Sequence, residues 1–189
     1  MRLKEGSLNC GEAKVGTALS ADWMRPSRCV ESMREGAEKS NSRKGQESME
    51  NDSIFAQVEP GLGRVLDELR TLEPIFHRKE FGLTAEERER RVAPEYWEVG
   101  ASGRRYSRDF IMKTLAEKPP VDAEEAGWSW RDFGLRQLGP GTTYLCTYTL
   151  DQAGRITRRA TVWHKSGEGW RILYHQGTVV TGADATLPE

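Results

Sequence analysis

Glu98 stands in Tyr96-Trp97-Glu98-Val99, an aromatic run of strand character that ends on the turn Gly100-Ala101-Ser102-Gly103. Alternate side chains of a strand face opposite ways, so Glu98 looks away from Trp97 and Val99 and shares its face with Tyr96. Turned into an apolar cavity, such a carboxyl has a raised pKa and suits a general base near neutral pH. Turned outward, it pairs with an arginine or meets water. A buried carboxylate needs a donor, either an arginine such as Arg159 or a tyrosine hydroxyl, because an unpaired buried charge costs about 3–5 kcal/mol. His175 is the second candidate catalytic group. It and Gln176 are neighbours in the last apolar run, so only one of them can face inward. Arg159, Thr161 and Trp163 share one face of their run, and Arg158, Ala160, Val162 and His164 share the other. A cavity holding arginine and tryptophan favours a carboxylate or phosphate on an apolar body, whereas an arginine at a rim would stretch along the surface. The candidate ligand contacts are therefore Trp97, Tyr148, Arg159, Trp163 and Gln176. Asp132 is a further acid on a strand-like run. His77, His164 and His175 show no metal-ligand spacing, so neither a metal nor a cofactor is expected.

These side chains need a scaffold, and the pattern supplies one. Leu62, Val65, Leu66, Leu69 and Leu72 mark one face of a helix, with Pro60 near its first turn. Thr84 and Glu87 make a capping-box pattern for a short charged helix, TAEERERRVA, stopped by Pro94. After the glycine-marked turn, Ser107 can cap a third helix, RDFIMKTLAEK, with Asp109 in its first turn and Pro119-Pro120 beyond its end. Residues 128–138, 142–150, 155–164 and 170–180 are β-branched and aromatic runs separated by GPG, DQAG and SGEG, which predicts hairpins. Helices first and a meander after predict an α+β fold with helices packed on one face of a curved antiparallel sheet.

The chain has 189 residues, which suits one domain with an appendage. Residues 1–52 lack an apolar period and carry nine basic and nine acidic groups, so they read as a disordered extension. Met49, just ahead of the first periodic segment, is a second candidate start. Residues 53–182 form the predicted domain, and 183–189 a flexible end. With 28 basic against 29 acidic residues, bulk charge gives no polycation for nucleic acid or an anionic membrane. The strand runs do hold seven basic against three acidic groups, which reads as a solvated or dimer-forming face. Three cysteines without a C-x-x-C pair predict a reducing cytoplasm, and no stretch suits a secretion signal or a membrane span.

The order of elements, with YWEVGASGRRYSR and the closing pair ATVWHK and GWRILYHQGT, resembles the nuclear transport factor 2-like superfamily over residues 60–180. Within it, the pattern is most similar to the SnoaL-like and ketosteroid-isomerase-like branch of small bacterial proteins. The resemblance implies a cone, with a bent sheet wrapped around a long first helix and a cavity open at one end. The first strand would line the cone, Gly100 and Gly103 would let the chain reverse, and the third helix would close one side. It also implies a homodimer through the outer sheet face. Steroid-isomerase chemistry needs a base with a tyrosine and a protonated aspartate. Tyrosines stand at 96, 106, 144, 148 and 174, but no strand acid duplicates the remaining roles. TVWHK and the following GW also look like the end of the calmodulin-kinase hub domain. Thr161 and Gly177 occupy the places of that family's closing arginines. The expected function is binding of a small anionic or amphipathic molecule, with acid–base catalysis (isomerase, lyase or hydrolase) in the same cavity as the alternative.

Overall fold

The computed structural model describes residues 56–118 and 120–182. The expectations for the N-terminal extension, the Met49 start and the C-terminal end lie outside these residues. Helix α1 (Gly63–Leu72) buries Leu69 and Leu72 and rests Leu62, Val65 and Leu66 on the core. It starts later than Pro60 suggests, because Gly61 adopts a left-handed φ of 86° and interrupts the helical turn. A 3₁₀ turn, Lys79–Phe81, leads to α2 (Ala85–Arg91), which opens on the predicted capping box between Thr84 and Glu87.

Strand β1 (Val92–Val99) is longer than the sequence suggested and runs through Pro94. Proline is tolerated there because the pairing is irregular between Val92 and Trp97. A short strand, β2 (Arg105–Ser107), pairs with β1 and passes directly into α3 (Arg108–Glu117), which is capped by Ser107. The meander β3 (Ser129–Gln137), β4 (Thr143–Gln152), β5 (Arg155–Ser166) and β6 (Gly169–Val179) follows as predicted.

The six strands form one curved, unclosed sheet in the order β2-β1-β6-β5-β4-β3. All neighbours run antiparallel except β1 and β6. That parallel pairing brings the first strand beside the last, so residues some 77 positions apart, such as Glu98 and His175, stand in register. One core joins α1, α3 and the inner sheet face, with Phe81, Trp163, Ile111 and Ile172 fully buried. Among the described residues no helix is long and apolar enough to cross a membrane.

Candidate functional site: a polar pocket at one end of the sheet

Period-two alternation decides what enters the interior. On β1, Tyr96 and Glu98 are 2% and 4% exposed while Trp97 between them is 47% exposed. On β5, Thr157, Arg159 and Thr161 face inward, and on β6 it is His175 rather than Gln176. The segment after α1 closes over them with Pro74, Ile75, Phe76 and His77, and β4 adds Tyr148, Leu150 and Gln152. Together with Gly100, these groups line a pocket of about 380 Å³, much of it open to solvent. Its enclosed part has room for about one water molecule.

Arg159 is the only cation lining this pocket, and it is 8% exposed. Its Nε donates to Thr157 Oγ1 at 2.8 Å, Nη2 to Gln152 Oε1 at 3.2 Å, and Nη1 lies 3.4 Å from His175 Nε2. It forms no ion pair among the described residues. Burial accordingly pushes its pKa down. Gly177 is the register partner of Arg159, and a Cβ there would stand 3.0 Å from Nη1. The missing side chain is the space that the guanidinium occupies.

Glu98 accepts the Tyr96 hydroxyl at 2.5 Å. Its partner is therefore the tyrosine two residues away, not Arg159. Burial raises the carboxyl to about 7, against the opposing pull of Tyr96 and of the Arg159 charge. Arg159 acts on it through space, without contact.

A second acid, Glu73, is 0% exposed at the end of α1. Trp163 Nε1 donates to its Oε1 at 3.0 Å, while the Ile75 N–H and Tyr148 hydroxyl donate to Oε2 at 3.0 and 2.8 Å. The Thr161 hydroxyl also bonds to it. Burial holds Glu73 above the ordinary carboxylate range, and these bonds offset only part of that rise. Indole and backbone N–H groups can only donate, and both oxygens accept, so the ionised form is the one this cage fits. The single Thr161 proton then goes to Glu73, and Thr161 Oγ1 accepts from His175 Nδ1 at 2.9 Å. This assigns the His175 proton to Nδ1 and leaves Nε2 as an acceptor for Arg159.

The histidines are thereby held neutral. Burial, Arg159 and His77 keep His175 well below its ordinary value. His77 contacts the Val121 carbonyl through Nδ1 at 2.8 Å and is lowered by burial to about 4. Among the described residues, no group of three or more histidine, cysteine, aspartate or glutamate side chains is placed to hold a metal ion.

Of the residues singled out from sequence, Glu98, His175, Tyr148 and Arg159 come together here. Trp97 and Gln176 do not, because each sits one residue out of phase with an inward neighbour. Trp97 packs on Tyr174 at 4.7 Å between ring centroids, and Gln176 accepts the Tyr174 hydroxyl on the outer face. Trp163 faces inward but lies beyond a register shift after Val162, in the core. Asp132 is exposed and paired with Arg131 and Arg158. Sequence reasoning missed Glu73, His77 and Gln152 as parts of the site. For Glu73 a signal existed, since LEPIF sets one carboxylate inside an apolar run.

No family model matches the chain, and no curated protein matches it in sequence. Solved structures do share its architecture. A cystatin-like fold protein from Burkholderia xenovorans aligns at a TM-score of 0.50 and 13% identity, covering 66% of this chain and 95% of that one. An NTF2-like protein from Cytophaga hutchinsonii aligns at 0.47 and 11%, covering 64% and 98%. An NTF2-like protein of unknown function from Silicibacter pomeroyi aligns at 0.44 and 18%, covering 61% and 92%. The fold of this chain, helices on one curved, unclosed six-stranded sheet, is shared with the cystatin-like fold protein.

Proposed function

We propose that this protein binds a small anionic molecule, a carboxylate on a compact apolar body, with the anion on Arg159. The observation that carries this reading is a buried guanidinium lining a pocket with no ion-pair partner among the described residues. A charge held that way is expensive unless an anion arrives to complete it. The narrow interior admits only the headgroup, and Pro74, Ile75, Phe76 and Leu150 give a short body an apolar wall in the open part of the pocket. Tyr148 lines the same wall, and His175 serves as a positioning residue that orients Arg159. The branch is the SnoaL-like and ketosteroid-isomerase-like one, and the working compartment is the cytoplasm.

The protein acts as a homodimer through the outer sheet face, where Trp97, Tyr174, Val162 and Leu145 stand in one cross-strand row. One observation favours a second reading, acid–base catalysis on the bound molecule: Glu98 lines the same pocket and titrates near neutral pH. Conversion of a bound carboxylic acid that stops in Glu98→Gln would decide for it.

Titration of the full chain with propionate and benzoate tests the binding reading. Wild type should bind at least one of them, and Arg159→Met should weaken that binding at least tenfold while melting normally. Equal binding by both proteins would contradict it.

A further inference from the structure

When an anion settles on Arg159, two acids and one cation share a space with little water. Around Glu98 stand Tyr96 on β1, Tyr148 on β4, Arg159 on β5, His175 on β6 and His77 on the segment after α1, with Glu73 reached through the Tyr148 hydroxyl that donates to it. Both histidines are neutral by their hydrogen bonds and burial, and the tyrosines are neutral because burial raises both. An ionised Glu98 in the same lining balances the Arg159 charge of the empty pocket, and an arriving anion would leave one negative charge in excess. Among the described residues Glu98 shares no ion pair with Arg159, and burial outweighs the Tyr96 hydroxyl and the Arg159 charge that favour its ionised form.

We propose that the pocket takes up its anionic ligand together with a proton, the anion on Arg159 and the proton on Glu98. This rests on the reading of the pocket as an anion site and adds its control by pH. The balance is simple: one proton leaves solvent, one O–H bond forms on the Glu98 carboxyl, and no other bond changes. Glu98 as an acid can then donate to the ligand, while as a carboxylate it repels it. The site thus loads in mildly acidic surroundings and releases as pH rises.

The test is titration calorimetry of the full chain with propionate from about pH 5.5 to 8.5, in buffers of different ionisation heat, with Glu98→Gln and Arg159→Met in parallel. The expected wild-type affinity is flat up to about pH 6.5. Above about pH 7, where the Glu98 carboxyl titrates in the empty pocket, it falls about tenfold per pH unit. Proton uptake per propionate should rise from near zero to near one across the same range. Glu98→Gln should bind with nearly constant affinity throughout. Binding that needs Arg159 but is flat with pH in wild type would overturn the proton coupling and leave the anion site standing. An affinity already falling between about pH 5.5 and 6.5, or an unchanged slope in Glu98→Gln, would place the proton elsewhere and also overturn it. No binding to folded wild type at any pH would overturn both readings. Should Glu98→Gln fail to fold, the proton uptake of wild type decides alone.

Discussion

Glu73 and Glu98 are both buried carboxyls in one polar interior, yet their surroundings differ in kind. Glu73 is caged by a backbone N–H, an indole, a phenol and a threonine hydroxyl, with both oxygens engaged. Among the described residues Glu98 has one hydrogen-bond donor, Tyr96, and it faces a cavity. Saturation fixes a charge and makes it structural. Under-saturation beside an opening leaves a charge free to respond to a ligand or to pH. The same contrast separates the Trp163 end of the sheet, which is filled by aromatic edges, from the Arg159 end, where Gly177 yields room to a guanidinium.

The largest effect is expected at the caged acid. Glu73→Gln places an amide N–H against a donor on one side or the other and removes the charge around which the four donors are arranged. A loss of about 3–5 kcal/mol is expected, read from urea denaturation at neutral pH. A loss below about 1 kcal/mol would show that the cage does not hold an anion.

Glu98→Gln should act in the opposite direction, and only at higher pH. The folded-state pKa, about 7, lies above the ordinary 4.5, so between these values the folded protein binds more protons than the unfolded chain. Stability attributable to Glu98 therefore falls as pH rises through that window and stays low above it. At pH 8 the substitution should stabilise by up to roughly 3 kcal/mol, and near pH 5 it should change little. His77 runs the other way: its contribution is present above about 6.5 and is lost as pH falls toward about 4. The two windows overlap and largely cancel in wild type between about pH 4.5 and 6.5, so Glu98→Gln should uncover a rise in stability with pH over that range and remove the alkaline fall up to about pH 7. A variant with the same alkaline slope as wild type would place the titrating group elsewhere.

The smallest effect on folding is expected outside the pocket. Trp97→Ala removes an exposed side chain and should shift stability by no more than about 0.5 kcal/mol. Dimers held by an interface on the order of 800 Å² per partner should nonetheless dissociate more readily in sedimentation. Unchanged assembly would move the interface off this face.

What was legible in the sequence was local. The Thr84 and Glu87 capping box, the Ser107 cap and the four long strands each depend on residues a few positions apart. Period two likewise put Tyr96 and Glu98 on one face, and that alone brings the hydroxyl to the carboxyl. Register between distant strands was not legible. The parallel pairing of β1 with β6 sets Glu98 opposite His175, and the fit of Arg159 over Gly177 follows from pairing β5 with β6. Trp163 looked like a pocket residue because alternation gives a face but not a depth. Glu73 went unread because its donors come from β4, β5 and its own loop, which no local pattern joins.

The most direct measurement is a crystal structure of the full chain grown near pH 6 with propionate. The account predicts the carboxylate inside the pocket, within hydrogen-bond distance of the Arg159 guanidinium and bordered by Glu98 and His175. A guanidinium engaged only by Thr157, Gln152, His175 and water, with propionate elsewhere or absent, would contradict it.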